Sequence, residues 1–181
     1  MTSELQIQKL DRAFDQIDVN SNGQIERDDL IALGNRLILG FGQPASSEKG
    51  RDVLQLCDAL WAELAEEADI DHDDSISPAE FRHAMINAYI EGKKFDKTFA
   101  PATRSWIVLA DHDGDDLVAL PEFRTMHQAF GTEDDATQTA FAALDVSGGG
   151  RLAVPDLVVA AREYYTSADP KARGNLFFGA L

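Results

Sequence analysis

Asp69-Ile70-Asp71-His72-Asp73-Asp74-Ser75-Ile76-Ser77-Pro78-Ala79-Glu80 carries carboxylates at positions 1, 3, 5 and 12 of a twelve-residue window. Asp111-His112-Asp113-Gly114-Asp115-Asp116-Leu117-Val118-Ala119-Leu120-Pro121-Glu122 repeats the arrangement. A hard divalent cation such as Ca²⁺ takes six to eight oxygens at about 2.3–2.6 Å. A tight loop brings side chains 1, 3 and 5 and the backbone carbonyl at 7 onto one point. A carboxylate at 12, on the first turn of the following helix, closes the shell.

The register is internally consistent. Moving either window by two residues would put Arg82 or Arg124 at position 12, where a cation cannot serve. As written, position 8 is Ile76 and Val118, apolar residues suited to a short β-bridge, and Phe81 and Phe123 follow position 12. Both windows resemble EF-hand loops. Each departs from that pattern at position 6, where Asp74 and Asp116 replace glycine. Aspartate tolerates the left-handed backbone better than most residues, at a cost of about 1 kcal/mol, which four carboxylates around one ion should outweigh.

Two further windows share the outline. Asp18-Val19-Asn20-Ser21-Asn22-Gly23-Gln24-Ile25-Glu26-Arg27-Asp28-Asp29 has oxygen donors at 1, 3, 5 and 9, Gly23 at 6 and Ile25 at 8. Its closing residue is Asp29, one methylene shorter than Glu, which favours a smaller shell and Mg²⁺ competition. Asp145-Val146-Ser147-Gly148-Gly149-Gly150-Arg151-Leu152-Ala153-Val154-Pro155-Asp156 keeps Gly150 at 6, Leu152 at 8 and Asp156 at 12. Gly149 at 5 has no side-chain oxygen and Ala153 at 9 cannot hold a water, so this loop is expected to stay empty.

Amphipathic helices are expected on both sides of each loop. Leu5, Leu10, Phe14 and Ile17 precede the first loop at near-helical spacing, and Leu30, Leu33, Leu37 and Ile38 follow it. Gly40-Phe41-Gly42-Gln43-Pro44 then breaks the chain. A helix from about Arg51 to Ala68 should bury Val53, Leu56, Leu60 and Leu64. Pro78, Pro121 and Pro155 stand just inside the next helix of their hands, where a missing N–H costs nothing. The recurrence supports four homologous units.

Loop starts fall at Asp18, Asp69, Asp111 and Asp145, intervals of 51, 42 and 34 residues. The stretched first interval and the ending Asp169-Pro170-Lys171-Ala172-Arg173-Gly174-Asn175-Leu176-Phe177-Phe178-Gly179 resemble the sarcoplasmic calcium-binding protein and calerythrin family. The resemblance implies an all-α fold of two EF-hand pairs packed into one globule, residues 1–90 holding the first two loops and 91–181 the last two. It implies Ca²⁺ ligands at Asp18, Asn20, Asn22, Gln24, Glu26 and Asp29; at Asp69, Asp71, Asp73, Ser75 and Glu80; and at Asp111, Asp113, Asp115, Leu117 and Glu122. Gln24, Ser75 and Leu117 would serve through the backbone carbonyl of position 7.

Composition removes other classes. The 181 residues carry 32 acids against 16 Lys plus Arg, a formal charge of −16. Such a chain repels nucleic-acid phosphate and anionic lipid. No apolar run approaches the roughly 18 residues of a membrane span, and Met1-Thr2-Ser3-Glu4 shows no secretory signal. The single Cys57, in Val53-Leu54-Gln55-Leu56-Cys57, reads as a buried small hydrophobe. A cytoplasmic, monomeric protein is expected. No P-loop, nucleophile–base pair or Cys/His metal cluster points to an enzyme.

Three functions fit these residues: a Ca²⁺ buffer, a sensor that opens a groove for a partner protein, and a ligand-binding, photoprotein-like enzyme with the same four-hand layout. A sensor groove is rich in methionine. This chain has three, Met1, Met85 and Met126, against ten Phe. Leu176-Phe177-Phe178 is expected to fold back and fill whatever groove the hands form, which favours the buffer. His72 and His112, at position 4 of their loops, are expected at the surface. His83 and His127 fit either surface or core, and Trp61 and Trp106 should anchor the core. Three Ca²⁺ would reduce the charge to about −10 and raise thermal stability.

Overall fold

Ser3 begins the first helix: its hydroxyl accepts the Gln6 N–H at 3.2 Å, and the Gln6 side chain accepts the Ser3 N–H in return. The computed structural model describes residues 3–92 and 94–180; Met1, Thr2 and Leu181, which figure in the expectations above, lie outside that range, as does Lys93. Helix α1 (Glu4–Ile17) leads into the first loop and α2 (Arg27–Gly40) leaves it. Helix α3 (Glu48–Ala68) enters the second loop and α4 (Pro78–Ala84) leaves it. Helices α5 (Phe95–Ala110) and α6 (Leu120–Ala129) flank the third loop, and α7 (Asp134–Leu144) and α8 (Val154–Thr166) flank the fourth. The expected all-α class is the one observed.

Apolar spacing placed most of the core correctly. Leu10, Phe14 and Ile17 are buried on α1, and Leu30, Leu33, Leu37 and Ile38 on α2. Val53, Cys57, Leu60 and Leu64 form the inner stripe of α3. Leu5 and Leu56 fall on the stripe edges and are only half-buried. Helix α3 starts three residues earlier than expected, because Ser47 caps it by accepting the Gly50 N–H at 3.0 Å. Burial pushes the Cys57 thiol up to about 11, so it is an inert core group. Trp106 is buried, while Trp61 only packs against the core from its edge.

One element lay beyond the periodicity. After α4 the chain continues as a π-helical segment, Met85–Glu91, before α5 begins. Its backbone bonding runs from i to i−5, Gly92 N–H donating to the Asn87 carbonyl at 2.9 Å; the Asn87 side-chain amide donates to the His83 carbonyl at 2.9 Å, a bond that Asn35 also makes to Ile31 inside the regular helix α2. The segment buries Met85 and Tyr89, and the Tyr89 ring meets Phe99 of α5 edge-on at 5.0 Å.

The loops touch two by two through short backbone bridges. Ile25 and Ile76 exchange two backbone bonds of 2.9 Å in an isolated antiparallel bridge. Strands β1 (Leu117–Ala119) and β2 (Arg151–Ala153) align Val118 with Leu152. The two halves also pack on each other: α3 against α5, α2 against α6 and α1 against α8. One apolar core therefore runs through the molecule.

The C-terminal residues enter that core. After α8 a single 3₁₀ turn, Arg173–Leu176, brings Phe177 and Phe178 inward, where they are 3% and 2% exposed. The Phe178 ring lies 5.2 Å from Phe130 and 5.1 Å from Tyr164; Phe177 packs on Phe123 and His127. Two cations of α1 hold the tail in place. Lys9 Nζ, fully buried, donates to Ser167 O at 2.7 Å, Asn175 Oδ1 at 2.9 Å and Glu163 O at 3.4 Å. The Arg12 guanidinium donates to the carbonyls of Phe178 and Ala180.

Candidate metal centres

Each loop is shaped by its own first acid. Asp69 Oδ1 accepts the Asp73 N–H at 3.1 Å and Oδ2 the Asp74 N–H at 3.2 Å. Asp111 does the same for Asp115, at 3.1 Å, and Asp116, at 3.1 Å. Asp18 accepts Asn22 N–H at 3.1 Å and Gly23 N–H at 2.8 Å. The turn these bonds impose drives position 6 into the left-handed region. Asp74 and Asp116 adopt φ of 64° and 61°, beside 84° at Gly23 and 73° at Gly150. Aspartate thus accepts the conformation that glycine supplies without strain.

That turn gathers the acids. Carboxylate oxygens of Asp69, Asp71 and Asp73 lie within 4.8 Å of one another, and so do those of Asp111, Asp113 and Asp115. Oxygens on opposite sides of a Ca²⁺ ion stand about twice 2.3–2.6 Å apart, so the spacing and the all-oxygen donor set fit such an ion. Position 1 is buried in the first three loops, and their positions 3 and 5 face solvent. The arrangement leaves an entry path on the outer side.

The closing residues are anchored from behind. Glu80 Oε1 accepts the Ile70 N–H at 3.0 Å, and Oε2 accepts the Ser77 N–H at 2.9 Å and its hydroxyl at 2.7 Å. These donors, Ser77 first, hold the Glu80 carboxyl below the usual carboxylate range. Glu122 accepts from His112 N–H at 3.2 Å and Ala119 N–H at 2.8 Å. In the first loop Asp29, 1% exposed, accepts Asn20 N–H at 3.2 Å, the Asn20 amide at 3.0 Å and Glu26 N–H at 2.9 Å. Asn22 Oδ1 accepts the Gln24 N–H at 2.8 Å, and Glu26 Oε2 accepts the Asn22 amide at 3.4 Å. The position-7 residues Gln24, Ser75 and Leu117 immediately precede the paired position-8 residues.

The fourth loop keeps the turn and little of the ligand set. Asp145 is satisfied by Gly149 N–H at 3.2 Å, Gly150 N–H at 2.7 Å and the Ser147 hydroxyl at 2.9 Å. Asp156 is exposed on the rim of an open cleft of about 700 Å³. Arg151, at position 7, turns away from its own loop and pairs with Asp115 of the third. Nothing in the ligand spacing had signalled that contact.

The histidines divide. His72, His83 and His112 are exposed, whereas His127 is fully buried, with Nδ1 3.2 Å from Thr137 Oγ1 and the Phe123 ring 4.0 Å away. Burial, and then the Arg12 charge, pull its imidazole down to about 3, so it is neutral. The interior space beside the tail, lined by Thr103, Trp106, Phe130, Tyr165, Phe177 and Phe178, measures only about 10 Å³. That is too small for an organic ligand. Among the described residues no helix is long and apolar enough to cross a membrane.

Known proteins share this layout. The EF hand family model matches residues 10–33, which span the first loop and parts of both its helices. Calerythrin of Saccharopolyspora erythraea is 25% identical, covering 91% of this chain and 94% of its own length. Sarcoplasmic calcium-binding protein 1 of Astacus leptodactylus is 28% identical, covering 91% and 90%. A calcium-binding protein of Streptomyces coelicolor superposes with a TM-score of 0.77 at 29% identity, over 91% of this chain and 99% of that one.

Proposed function

We propose that this chain, an EF-hand protein similar to calerythrin and the sarcoplasmic calcium-binding proteins, is a cytoplasmic, monomeric Ca²⁺ buffer. Three of its loops bind metal, and none of its residues does catalysis. The ligands are Asp18, Asn20, Asn22, Gln24, Glu26 and Asp29; Asp69, Asp71, Asp73, Ser75 and Glu80; and Asp111, Asp113, Asp115, Leu117 and Glu122. The loops work as two pairs, in residues 1–90 and 91–181. Bound Ca²⁺ neutralises the gathered acids and tightens the turn between the flanking helices. Mg²⁺ competes most at the first loop, where Asp29 closes a smaller shell.

One observation carries the buffer reading: the groove a sensor would open is filled by the chain's own Phe177 and Phe178. A second reading, a Ca²⁺-responsive contact with a partner protein, draws on the open cleft beside the fourth loop, flanked by Val146 and Val159 at 65% and 55% exposure. A Ca²⁺ titration of apolar-dye fluorescence in cell-like Mg²⁺ separates the two. A low or falling signal is the buffer's outcome. A steep rise would replace it with the sensor.

A further inference from the structure

The two loop pairs differ at position 7. In the N-terminal pair the position-7 side chains are neutral and meet each other, with the Ser75 hydroxyl 3.4 Å from Gln24 Oε1. In the C-terminal pair, position 7 of the fourth loop is Arg151. Its Cα lies opposite Ala119 across the β1–β2 ladder, so its side chain reaches over the neighbouring loop. There the guanidinium pairs with Asp115 Oδ2. Asp115 is the position-5 member of the third loop's oxygen cluster, and its Oδ1 already accepts the Leu117 N–H at 2.9 Å.

We propose that Arg151 is a fixed cation, supplied by the fourth loop, that sets the affinity of the third. This inference rests on the reading of the third loop as a Ca²⁺ site. Without metal, the guanidinium offsets repulsion among Asp111, Asp113, Asp115 and Asp116 and stabilises the empty loop. When Ca²⁺ enters, ion and guanidinium share one carboxylate and repel each other across it. Both effects act in the same direction: they favour the empty state, and so weaken binding. The fourth loop, having lost its own oxygens at Gly149 and Ala153, regulates its partner by charge.

The test is calorimetric Ca²⁺ titration of the full chain and of Arg151→Gln, with melting of both in chelator. Arg151 and Asp115 are partly exposed, so the expected change is moderate. Arg151→Gln tightens one site about two- to fivefold, leaves the others unchanged and lowers the metal-free melting temperature. The gain shrinks in about 1 M salt, where the screening length falls to roughly 3 Å. Arg151→Lys, which keeps the charge, stays near the parent affinity. With Asp115→Asn in place, Arg151→Gln does much less. Unchanged or weaker binding in Arg151→Gln, in a chain whose third site fills, overturns the inference alone. If Glu122→Gln leaves the Ca²⁺ stoichiometry and every affinity of the parent unchanged, the third loop is no Ca²⁺ site, and both readings fall.

Discussion

Replacing Phe178 by Ala tests whether the tail is part of the core. The ring is 2% exposed and contacts four others, with centroids 5.6 Å from His127, 5.2 Å from Phe130, 5.1 Å from Tyr164 and 4.9 Å from Phe177. Truncating a buried Phe to Ala costs about 3–5 kcal/mol through lost transfer energy and the cavity left behind. In a chain of this length 1 kcal/mol moves the melting temperature by about 2–4 °C, so the midpoint should fall by roughly 6–20 °C. Removing Leu176 to Leu181 takes out both rings and the acceptors of Arg12, and should cost at least as much. The assay is calorimetric melting in excess Ca²⁺, run with apolar-dye binding at 25 °C. The truncated chain should bind dye where the parent does not. If both variants melt within about 2 °C of the parent and bind no more dye, the tail is not the plug of the groove. The buffer reading then loses its main support.

Three other perturbations probe separate parts of the argument. Glu80→Gln and Glu122→Gln each remove the charge of a closing ligand, so each should weaken its own site most; a Ca²⁺ titration in which all sites weaken equally would contradict the assignment. Lys9→Met leaves Ser167 O and Asn175 Oδ1 without their donor and should cost about 1–3 kcal/mol in urea unfolding, whereas an unchanged midpoint would remove Lys9 from the tail clasp. His127 makes stability depend on pH. Its imidazole is held neutral down to about 3 in the native state but takes a proton near 6.5 when unfolded. Protons therefore bind the unfolded chain first, and stability present above about pH 6.5 is lost as pH falls, by up to about 1.4 kcal/mol per unit. Between pH 6.5 and 5, His127→Gln should show a shallower slope than the parent; parallel slopes would place the imidazole in contact with water.

The loops were legible because their chemistry is local. Twelve consecutive residues contain the candidate ligands, the left-handed position 6 and the apolar position 8, so spacing alone pointed to Asp69 and Asp111 and rejected registers ending on Arg82 or Arg124. Helix stripes were legible for the same reason, since burial repeats along one strand of sequence. The π-helical stretch at Met85–Glu91 was not, because its apolar pattern is that of a continuing α-helix, and a shift from i−4 to i−5 backbone bonding leaves no mark on that pattern.

What the sequence determined by itself is therefore the class of fold and the oxygen donors its loops offer to a cation. Tertiary structure decided what surrounds them. Lys9 and Asn175, Arg12 and Phe178, Arg151 and Asp115 meet across separations of 166, 166 and 36 residues. No spacing rule connects such pairs. His127 could have faced water or core by its position in α6, and the packing of Thr137, Phe177 and Phe178 around it removed its solvent. The physical reason is the range of the forces. Turn geometry and helical periodicity act over a few residues, whereas desolvation and charge pairing depend on which distant segments the packed core brings together.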